Sequence, residues 1–598
     1  MSGTSEGLDA FERRWVNGAG GIELAVQEGG VADAPTVLLV HGYPDTSAVW
    51  DGVAGHLADR YHVVTYDVRG AGASGAPDDR RGYVLPLLVE DLAAVARKVS
   101  PSRPVHLVGH DWGSIQGWEA VTTERMAGRI RSYTSISGPG LDHVGRWFRA
   151  RLTPRPRAVG PLLRQGLRSW YVGLFHLPGA ALFWRLGGAD AVSRGLVRLG
   201  ELPEGTTPSP TLATDGARGV NLYRANIVRR LHRPADDRTT DVPVQLIVPS
   251  GDRYVTPALL DDTARWASRL WRRDVPGRHW LPRTAPDRVA GWIAELVDHA
   301  EGGPEPRSLA RHRIHPDDRA DRGRAGDRGK VVVVTGAGSG IGRQTALAFA
   351  DRGAEVVAVD IDGEAAARTA LLCRDLGVVA THHRVDVGDA EAMEALAKLV
   401  SHDHGGADVV VNNAGIGMAG GVLDTSVDDW ERILRVNLWG VIHGSRLFAR
   451  QMVDRGEGGH IVNVASAAAF TPSRGLPAYS TTKAAVLMLS ECLRGELADA
   501  DVGVTAICPG VVNTGIVTTT RFVGVGEGEE ARRQRVTKRL YARRGFGPEK
   551  VADAIVRAVD RDSAVVPVTP EAHLARFVQR FAPGVSRRLA RIDPAERM

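Results

Sequence analysis

Cysteine and lysine are both scarce in this sequence. Of its 598 residues only 3 are cysteines, which all lie in the C-terminal half without metal-ligand spacing or a disulfide pattern. A reducing compartment fits this usage best. Lysine and arginine together number 75, and only six of these are lysines, an arginine bias that genome composition can produce. Because no basic aromatic module or recognition motif accompanies the bias, we expect no nucleic-acid partner.

Long apolar runs and targeting signals are also missing. The N-terminal residues MSGTSEGLDAFERRW lack the basic and then apolar pattern of a secretory signal, and no apolar run approaches the length that spans a bilayer. We therefore expect a cytoplasmic protein. Paired histidines, such as His382 with His383 and His402 with His404, have no third ligand at suitable spacing. We expect no metal site from them.

The chain has the length of two or three globular domains, with an ordinary 43% of hydrophobic residues. β-branched runs such as PTVLLVHG and PVHLVGH alternate with helical stretches over residues 1–300, which predicts an α/β domain with a mostly parallel sheet. The alternation breaks at residues 140–237, an arginine-rich and mainly helical insertion that we interpret as a cap. Residues 301–328 are polar and lack apolar periodicity, so we predict a linker there. A second α/β domain is predicted over residues 329–570.

The segment GHDWG follows a predicted strand and precedes a helical run, which is the setting of a nucleophile elbow. Its glycines allow the sharp turn that exposes the central side chain, and that side chain is Asp111, where many hydrolases have serine. A carboxylate needs no base to activate it. Its attack on a saturated carbon would give an alkyl ester that water must then hydrolyse.

The partners of such a nucleophile occur later in the chain, in the order that this fold requires. Asp252 follows a predicted strand, and His279 lies in a loop before a helix. In this interpretation His279 activates the hydrolytic water and Asp252 holds the imidazole tautomer. The backbone N–H groups of Tyr43 and Trp112 are candidates for an oxyanion hole.

These elements, together with HGYP and DVRGAGAS near the N-terminus, resemble the epoxide hydrolases of the α/β-hydrolase superfamily. The resemblance implies that two cap tyrosines, Tyr171 and Tyr223, donate hydrogen bonds to the epoxide oxygen and protonate it. Haloalkane dehalogenases share several of the elements, but halide departure is usually helped by indole N–H groups. The family commonly has glycine before the catalytic histidine, and here Arg278 stands there. A cation at that position is expected to depress the histidine pKa or to narrow the pocket.

The second predicted domain opens with VVVVTGAGSGIG, a strand followed by a glycine-rich turn and a helix. Gly336, Gly340 and Gly342 permit a pyrophosphate to approach the helix N-terminus, where free N–H groups favour anions. Asp360 ends the next predicted strand, and its carboxylate would accept hydrogen bonds from both ribose hydroxyls and repel a 2′-phosphate. Since Ser339 supplies no basic side chain, NAD(H) is favoured, without excluding NADP(H).

Further motifs of this half follow one another along the chain. They are VDV with Asp386, NNAG over Asn412 to Gly415, RVNLWG with Asn437, IVNVAS with Ser466, and YSTTK from Tyr479 to Lys483. Tyr479 and Lys483 are four residues apart, one turn of helix, so both point into the same cleft. Because a tyrosine is a poor acid or base at neutral pH, the nearby ammonium would serve to lower its pKa.

This motif set resembles the short-chain dehydrogenase/reductase family. The resemblance implies that Tyr479 moves the proton, Ser466 holds the substrate oxygen and Asn437 supports a proton-relay water, while Lys483 also binds the nicotinamide ribose. The cofactor contacts that it implies, beside Tyr479 and Lys483, are Gly336, Ser339, Gly340, Ile341, Gly342, Asp360, Asp386 on the adenine side, Asn413, Ala414, Gly415, and Thr514 at the carboxamide. Members of the family usually form dimers or tetramers, so we expect a homo-oligomer.

Residues 571–598 form an amphipathic basic tail in which Leu574, Phe577 and Phe581 are mixed with arginines and Pro583 interrupts the helix. Such a tail docks on a membrane surface or a partner subunit, covers the substrate pocket, or stays solvated. The whole chain resembles actinobacterial proteins that fuse an epoxide hydrolase-like domain to a short-chain dehydrogenase.

We therefore hypothesise a bifunctional enzyme that acts on lipophilic small molecules. Its front half would hydrolyse epoxides, and its back half would be an NAD(P)-dependent oxidoreductase for a hydroxyl/carbonyl pair. Two alternatives remain open. In the first, the dehydrogenase alone is active and the front domain serves binding or assembly. In the second, the front domain is a dehalogenase.

Overall fold

The structure is a computed structural model, and it describes residues 11–152, 156–314 and 326–590. The described residues form two compact units, one that ends at Ile314 and one that begins at Gly326. Each unit is built around a largely parallel sheet with helices, so the predicted α/β fold class is confirmed.

The sheet of the first unit has the order β1-β2-β4-β3-β5-β6-β7-β8-β9. Its strands are β1 (Glu12–Asn17), β2 (Glu23–Gly30), β3 (Thr36–Val40), β4 (His62–Tyr66), β5 (Val105–His110), β6 (Ile130–Ile136), β7 (Val244–Pro249), β8 (Leu270–Val275) and β9 (Arg313–Ile314). Strands β3 to β8 run parallel to one another, whereas β1, β2 and β9 pair antiparallel at the two edges. The central strands β3, β5 and β7 are buried at every residue, as expected when helices cover both faces of a sheet.

Helices pack on both faces of this sheet and form a cap between β6 and β7. They are α1 (Asp51–Ala58), α2 (Leu85–Val99), α3 (Trp112–Val121), α4 (Leu141–Arg151), α5 (Pro156–Arg168), α6 (Trp170–Phe175), α7 (Ala180–Phe183), α8 (Ala189–Arg198), α9 (Leu212–His232), α10 (Leu281–Thr284), α11 (Pro286–Ala300) and α12 (Arg307–Ala310). Helices α4 to α9, with a π-helical turn at Trp184–Gly188, occupy the stretch predicted to be a cap.

The predicted linker over residues 301–328 is wrong for both of its described ends. Helix α12 buries Leu309 in a cluster with Trp271 and Leu296, and β9 extends the sheet beside β8. At the other end Asp327 is buried and pairs with Arg352 of the second unit. A single buried leucine and a two-residue edge strand leave no periodic pattern, which is why the sequence reads as a linker. Residues 315–325 of that prediction lie outside the described residues.

The main sheet of the second unit is parallel throughout, with the order β12-β11-β10-β13-β15-β16-β18. Its strands are β10 (Val331–Thr335), β11 (Glu355–Asp360), β12 (Ala380–Arg384), β13 (Val409–Asn412), β15 (Gly459–Val464), β16 (Val502–Cys508) and β18 (Val565–Pro567), while β14 (Met418–Ala419) and β17 (Arg521–Phe522) form a separate pair. The chain reverses its winding direction between β10 and β13. In doubly wound sheets the crevice at such a switch point, outside the carboxyl ends of the strands, is where ligands bind.

The helices of the second unit surround this sheet. They are α13 (Gly340–Asp351), α14 (Gly363–Asp375), α15 (Ala390–His404), α16 (Val427–Leu434), α17 (Gly440–Arg455), α18 (Pro477–Glu496), α19 (Ile516–Thr519), α20 (Glu527–Arg544), α21 (Pro548–Asp560), α22 (Pro570–Phe581) and α23 (Pro583–Leu589). No helix among the described residues of either unit is both long and apolar enough to cross a bilayer.

The predicted tail is attached to the second unit at its beginning. Ala572 is fully buried, and Glu571 accepts a hydrogen bond from the backbone of Val511 at 2.8 Å. The predicted break of the helix is present, since α22 ends just before Pro583 and α23 begins there. The outward residues of α22 are exposed, and what they contact stays a prediction. Residues 591–598 lie outside the described residues.

Candidate active sites

Asp111 lies at the tip of a strained turn between β5 and α3. Its φ of 52° is unusual for a residue with a side chain. The turn needs glycine on either side: a Cβ on Gly113 would lie 2.1 Å from the carbonyl oxygen of Val40, and one on Gly109 would lie 2.5 Å from that of Gly113. The GHDWG pattern therefore folds locally as predicted and presents the carboxylate at the carboxyl edge of the sheet.

The backbone of the loop after β3 holds one oxygen of this carboxylate. The N–H of Tyr43 donates to Asp111 Oδ1 at 2.7 Å. A Cβ on Gly42 would lie 2.6 Å from the backbone nitrogen of Trp112, so both predicted oxyanion-hole nitrogens border the same carboxylate. Such donors stabilise negative charge that develops on an oxygen.

His279 is fixed by a buried carboxylate on one side. Its Nδ1 lies 3.0 Å from Asp252 Oδ2, and Asp252 Oδ1 accepts hydrogen bonds from the backbone of Tyr254 and Val255. Burial alone would raise the pKa of Asp252, but His279 and these N–H groups lower it. Asp252 is therefore an anion that orients the imidazole, the role predicted for it.

The other imidazole nitrogen faces the nucleophile. His279 Nε2 lies 3.6 Å from Asp111 Oδ2. Burial alone would lower the pKa of His279, but Asp252 and Asp111 together raise it to about 10. One of the two effects predicted for Arg278, a depressed histidine pKa, is wrong. The other, a narrowed pocket, stays a prediction. The Arg278 guanidinium instead packs on Gly200 of the cap, where an added Cβ would lie 2.9 Å from Nη1.

Two tyrosine side chains from the cap also line this site. The ring centroids of Tyr171 in α6 and Tyr223 in α9 are 6.0 Å apart, and Tyr223 packs edge-on against Trp112 at 5.0 Å. Burial is the largest cause of a raised pKa for both hydroxyls, and the charge of Asp111 adds to it. Both groups are therefore protonated donors at neutral pH, close enough to Asp111 to feel its charge.

Sequence reasoning missed two residues of this site. The buried carboxylate of Glu201, just after α8, accepts from the backbone N–H of His279 at 3.2 Å and pairs with Arg253 at 2.9 Å. Nothing in the sequence marks Glu201, because it is remote from the motifs along the chain. The ring of Tyr254 lies 4.7 Å from that of His279, and its position two residues after Asp252 was the only available signal.

In the glycine-rich turn of the second unit, backbone segments lie too close together to leave room for side chains. Gly336 and Gly340 have φ of 65° and 54°, which side chains rarely adopt. A Cβ on Gly342 would lie 2.1 Å from the carbonyl oxygen of Gly336. Helix α13 begins at Gly340 with Ser339 as its N-cap residue, so its free N–H groups open onto the turn. Ile341 packs partly into the core beneath.

Asp360 ends β11 beside this turn, as predicted. Its Oδ2 accepts from the backbone N–H of Gly338 at 2.8 Å, and its Oδ1 accepts from that of Asp362 at 3.0 Å. These bonds fix the carboxylate at the position where the ribose of a dinucleotide lies in doubly wound folds. Asp386 is also held, by Arg435 at 2.7 Å and by the N–H of Gly388 at 2.9 Å, and its adenine contact stays a prediction.

Helix α18 carries the predicted proton-transfer pair. Lys483 Nζ lies 5.8 Å from the centroid of the Tyr479 ring and donates to the carbonyl of Val464 at 2.9 Å. Burial lowers the pKa of Lys483 to about 8. Ser466 follows β15, and its Oγ accepts from the N–H of Ala468 at 3.1 Å. The carboxyl ends of the strands thus bring these side chains to one edge of the sheet.

The remaining predicted residues border the same cleft. Asn437 lies in a π-helical turn, a feature frequent at functional sites, and its side chain bonds both backbone groups of Ile416, at 2.8 and 3.0 Å. A Cβ on Gly415 would lie 3.3 Å from Asn437 Oδ1 and 3.5 Å from Lys483 Nζ. A Cβ on Gly340 would lie 3.3 Å from Thr514 Cβ, which places Thr514 opposite the turn.

The NNAG segment is anchored to the first strand of this unit. Asn413 donates through Nδ2 to the carbonyls of Thr335 and Gly336, at 3.0 and 3.2 Å. The backbone nitrogens of Asn413 and Ala414 donate to Thr335 Oγ1. These bonds hold the segment against the glycine-rich turn, so the predicted cofactor residues lie along one cleft.

Comparison with known proteins finds a matching family for each of the two units. A family model described as short chain dehydrogenase matches residues 330–522, and one described as alpha/beta hydrolase fold matches residues 35–160. The chain is 45% identical over 590 residues to "Probable oxidoreductase EphD" of Mycobacterium tuberculosis, covering 97% of this chain and 98% of the relative. It is 36% identical over 257 residues to "Putative oxidoreductase SadH" of the same species, covering 42% of this chain and 91% of the relative.

Solved structures resemble part of the chain. A short chain dehydrogenase/reductase from Burkholderia phymatum in complex with NAD is 30% identical, with a TM-score of 0.40, and the match covers 43% of this chain and 94% of that one. The nearly full-length similarity to EphD and the two family matches together show one architecture from end to end. The chain therefore belongs to the EphD family of oxidoreductases, in which an α/β-hydrolase unit precedes a short-chain dehydrogenase unit.

Proposed function

We propose that the first unit hydrolyses epoxides through an ester on Asp111, and that the second unit oxidises a hydroxyl or reduces a carbonyl with NAD(H). One observation supports the first half above all others. The imidazole of His279 lies between Asp252 and Asp111, with both cap phenols packed nearby. A free carboxylate, a histidine with its own acid and a pair of hydroxyl donors are the groups that epoxide opening and ester hydrolysis require.

The first step forms the ester. Asp111 Oδ2 attacks an epoxide carbon, the bond between that carbon and the ring oxygen breaks, and the oxygen takes a proton from Tyr171 or Tyr223. The product is a hydroxyalkyl ester of Asp111 and one tyrosinate. An epoxide oxygen is a poor leaving group until it is hydrogen-bonded, so the phenols lower this barrier.

The second step releases a diol. His279 takes a proton from water, and the resulting hydroxide attacks the Asp111 carbonyl carbon. The N–H of Tyr43, which already donates to Oδ1, stabilises the tetrahedral oxyanion. The ester C–O bond on the acyl side then breaks, the leaving alkoxide takes the proton of the new Asp111 carboxylic acid, and the vicinal diol leaves. The tyrosinate of the first step takes the proton that His279 carries in the resting site, so the imidazole is neutral when it acts as the base. The proton that it then gains from water leaves His279 protonated again, which restores the resting site.

Dehalogenation is the weaker alternative for this unit. Halide departure is usually helped by indole donors, and the Trp112 ring packs edge-on against that of Tyr223, with the centroids 5.0 Å apart. The donors that the cap supplies near Asp111 are the phenols of Tyr171 and Tyr223. We therefore expect no halide release from haloalkanes.

Oxygen isotopes test the ester mechanism. In a single turnover with excess enzyme in ¹⁸O water, we expect the diol to contain only unlabelled oxygen, since one oxygen comes from Asp111. The Asp111 peptide should gain ¹⁸O by mass spectrometry, and an Asp111→Ala control should gain none. Label in the first-turnover diol would disprove the ester. If a panel of long-chain and cyclic epoxides is tested and none is consumed, the first unit is a binding or assembly module.

In the second unit the shape of the cleft fits a dinucleotide. The positive-φ glycines leave room that any Cβ would fill, and the start of α13 offers N–H groups to a pyrophosphate. Asp360 would hold the adenine ribose and would repel a 2′-phosphate, which favours NAD(H) over NADP(H). When bound, the nicotinamide accepts or supplies a hydride.

The protein's own residues in this cleft handle the proton and the substrate oxygen. Ser466 positions the oxygen of the hydroxyl or carbonyl, and Tyr479 transfers its proton. The buried ammonium of Lys483 stabilises the tyrosinate that forms. Titration with NADH and NADPH, followed by the fluorescence of the reduced nicotinamide, tests the cofactor preference. Tighter binding of NADPH would contradict it.

The substrates of both units are proposed to be lipophilic. Around the phenols the first site is lined by aromatic rings, with Phe175 at 4.8 Å from Tyr223 and Tyr43 at 5.4 Å. Rates with epoxides of increasing chain length test this. We expect kcat/KM to rise with each added methylene until the pocket is filled, by up to about fourfold per methylene.

A further inference from the structure

The outer surface of the cap is apolar over several consecutive elements. Helix α6 contacts both α5 and α7, and α7 contacts the π-helical turn that follows it. Eight large apolar residues of this stretch are at least 47% exposed: Leu163, Leu167, Trp170, Leu174, Leu177, Leu182, Phe183 and Leu186. The most exposed are Leu167 and Leu186, at 77% and 75%. We call these eight residues the cap face. Exposed apolar groups of this extent mark an interaction surface in a folded protein.

The charges of the chain segment that carries the cap face have one sign. No aspartate or glutamate occurs between Asp142 and Asp190 in the sequence, whereas that stretch is rich in arginine. Arg164 and Arg185 are exposed beside the cap face. Two copies of the face brought together would set these cations against one another without acids to pair with, which disfavours self-association. The complementary surface is apolar and negatively charged.

Helix α6 connects this surface to the proposed epoxide site. Trp170 and Leu174 are exposed on one side of the helix, while Tyr171 and Phe175 of the same turns pack inward on Tyr223. A tryptophan and long arginine stems beside leucines are typical of helices that lie in a membrane interface. The thickness of one short helix therefore separates the cap face from the aromatic wall of the site.

We propose that the cap face docks on the surface of an anionic lipid bilayer. The leucines and Trp170 insert among the acyl chains near the headgroups, and Arg164 and Arg185 contact lipid phosphates. Docked in this way, α6 lies at the membrane surface, and a lipophilic epoxide can pass from the bilayer to the site. This last statement rests on the proposed epoxide hydrolysis, whereas the docking itself does not.

Sedimentation with vesicles tests the docking. The full-length protein is mixed with vesicles of phosphatidylglycerol and phosphatidylcholine, or of phosphatidylcholine alone. We expect binding to the anionic vesicles that weakens with added salt. Leu167→Glu with Leu186→Glu should reduce the partition coefficient by at least about tenfold, because two inserted leucines become anions. The matched control is Leu371→Glu with Leu376→Glu, two exposed leucines of the second unit, which should bind like the wild type.

Other results would overturn the proposal. Failure of the wild type to bind anionic vesicles is one. Unchanged binding of the cap-face variant would also overturn it. If Leu574→Glu with Phe577→Glu in α22 abolishes binding instead, the tail is the docking element. A cap-face substitution that changes only the oligomeric state indicates a second copy as the partner. Circular dichroism and the dehydrogenase activity of each variant show that it is folded.

Substrate delivery separates docking from chemistry. The cap-face variant should hydrolyse a short water-soluble epoxide at the wild-type rate, but a long-chain epoxide dissolved in vesicles at least about tenfold more slowly. If the wild type hydrolyses neither epoxide, the proposed function fails while the sedimentation result still decides the docking. If the variant hydrolyses both epoxides at the wild-type rates, docking does not serve substrate delivery.

Discussion

His279 Nε2 lies 3.6 Å from Asp111 Oδ2, and this contact couples the charge of the proposed nucleophile to the pKa of the proposed base. In the resting site Asp252 and Asp111 raise the pKa of His279 to about 10, against the effect of burial. The imidazole is then protonated at neutral pH and cannot accept a proton from water. In the mechanism that we propose, forming the ester removes the charge of Asp111, so the pKa of His279 falls when a base is needed.

Neutralising the nucleophile should reproduce this change. We expect Asp111→Asn to lower the pKa of His279, because one of its two anionic neighbours is lost. Titration of the imidazole by NMR measures the value in both proteins. The stability that the wild-type ion pair contributes is fully present below the ordinary histidine pKa and is lost as pH rises through about 10. A pKa that does not change in the variant would disprove the coupling.

Removing the base should separate the two chemical steps. In His279→Gln the nucleophile and phenols remain, so we expect epoxide opening to proceed and ester hydrolysis to stop. The alkyl ester on the Asp111 peptide should accumulate within one turnover, and steady-state diol formation should fall by at least about a thousandfold. Intact-protein mass spectrometry detects the ester. Steady-state turnover near the wild-type rate would rule out His279 as the base.

The two phenols should share one task. Either Tyr171→Phe or Tyr223→Phe should lower kcat for epoxides by about tenfold to a hundredfold, since one donor remains. The double variant should lose at least about a thousandfold. Rates of ester formation, measured by rapid quenching, are the appropriate readout because the donors act in the first step. A double variant with unchanged ester formation would show that the ring oxygen is protonated by another group.

Asp360 should decide between the two nicotinamide dinucleotides. Asp360→Ser removes the anion that we propose faces the ribose, so we expect the ratio of NADP to NAD affinity to rise by about tenfold or more. Asp362→Ser is the control, because that carboxylate caps α14 through the N–H of Ala365 at 3.0 Å. It should leave the affinity ratio unchanged and change the melting temperature little, because serine is also a good N-cap residue. Equal effects of the two variants on the ratio would contradict the assignment.

Lys483 should support dehydrogenase turnover and at the same time lower the free energy of unfolding of the second unit. Burial lowers its pKa from 10.5 to about 8, so at pH 7 the fold bears the cost of a buried ammonium. Lys483→Met should reduce dehydrogenase turnover by about 10²-fold or more. It should raise the free energy of unfolding of the second unit by about 2 kcal/mol at pH 7, after allowing for the lost bond to Val464.

The pH dependence of that gain provides a check. Between pH 8 and 10.5 the unfolded wild type binds more protons than the folded protein, so wild-type stability rises with pH and the advantage of Lys483→Met shrinks. Denaturant unfolding at several pH values measures it. Lys398→Met, at an exposed surface pair with Glu394, should change stability by less than about 0.5 kcal/mol at every pH. A constant difference between wild type and Lys483→Met would contradict the lowered pKa.

Sequence patterns that extend over only a few residues could be interpreted without the tertiary structure. The alternation of buried strands and helices predicts both α/β units, and the glycines around Asp111 and at Gly336 predict the two sharp turns, because only glycine fits those approaches. The spacing of Tyr479 and Lys483 predicts a shared helix face. In each case neighbours in sequence fix the geometry, so the sequence by itself determined the two architectures and where the candidate catalytic groups lie in the chain.

Contacts between distant residues were decided only by the tertiary structure. The pKa of His279 depends on two carboxylates that lie 168 and 27 residues away along the chain, and Glu201 reaches the same loop from the cap. Residues 307–314 form a helix that packs on the first unit and a strand that joins its sheet, although their pattern resembles a linker. The cap face is visible only once the inward side of α6 is known. Burial, charge coupling and surface exposure depend on which segments pack together, and local sequence does not carry that information.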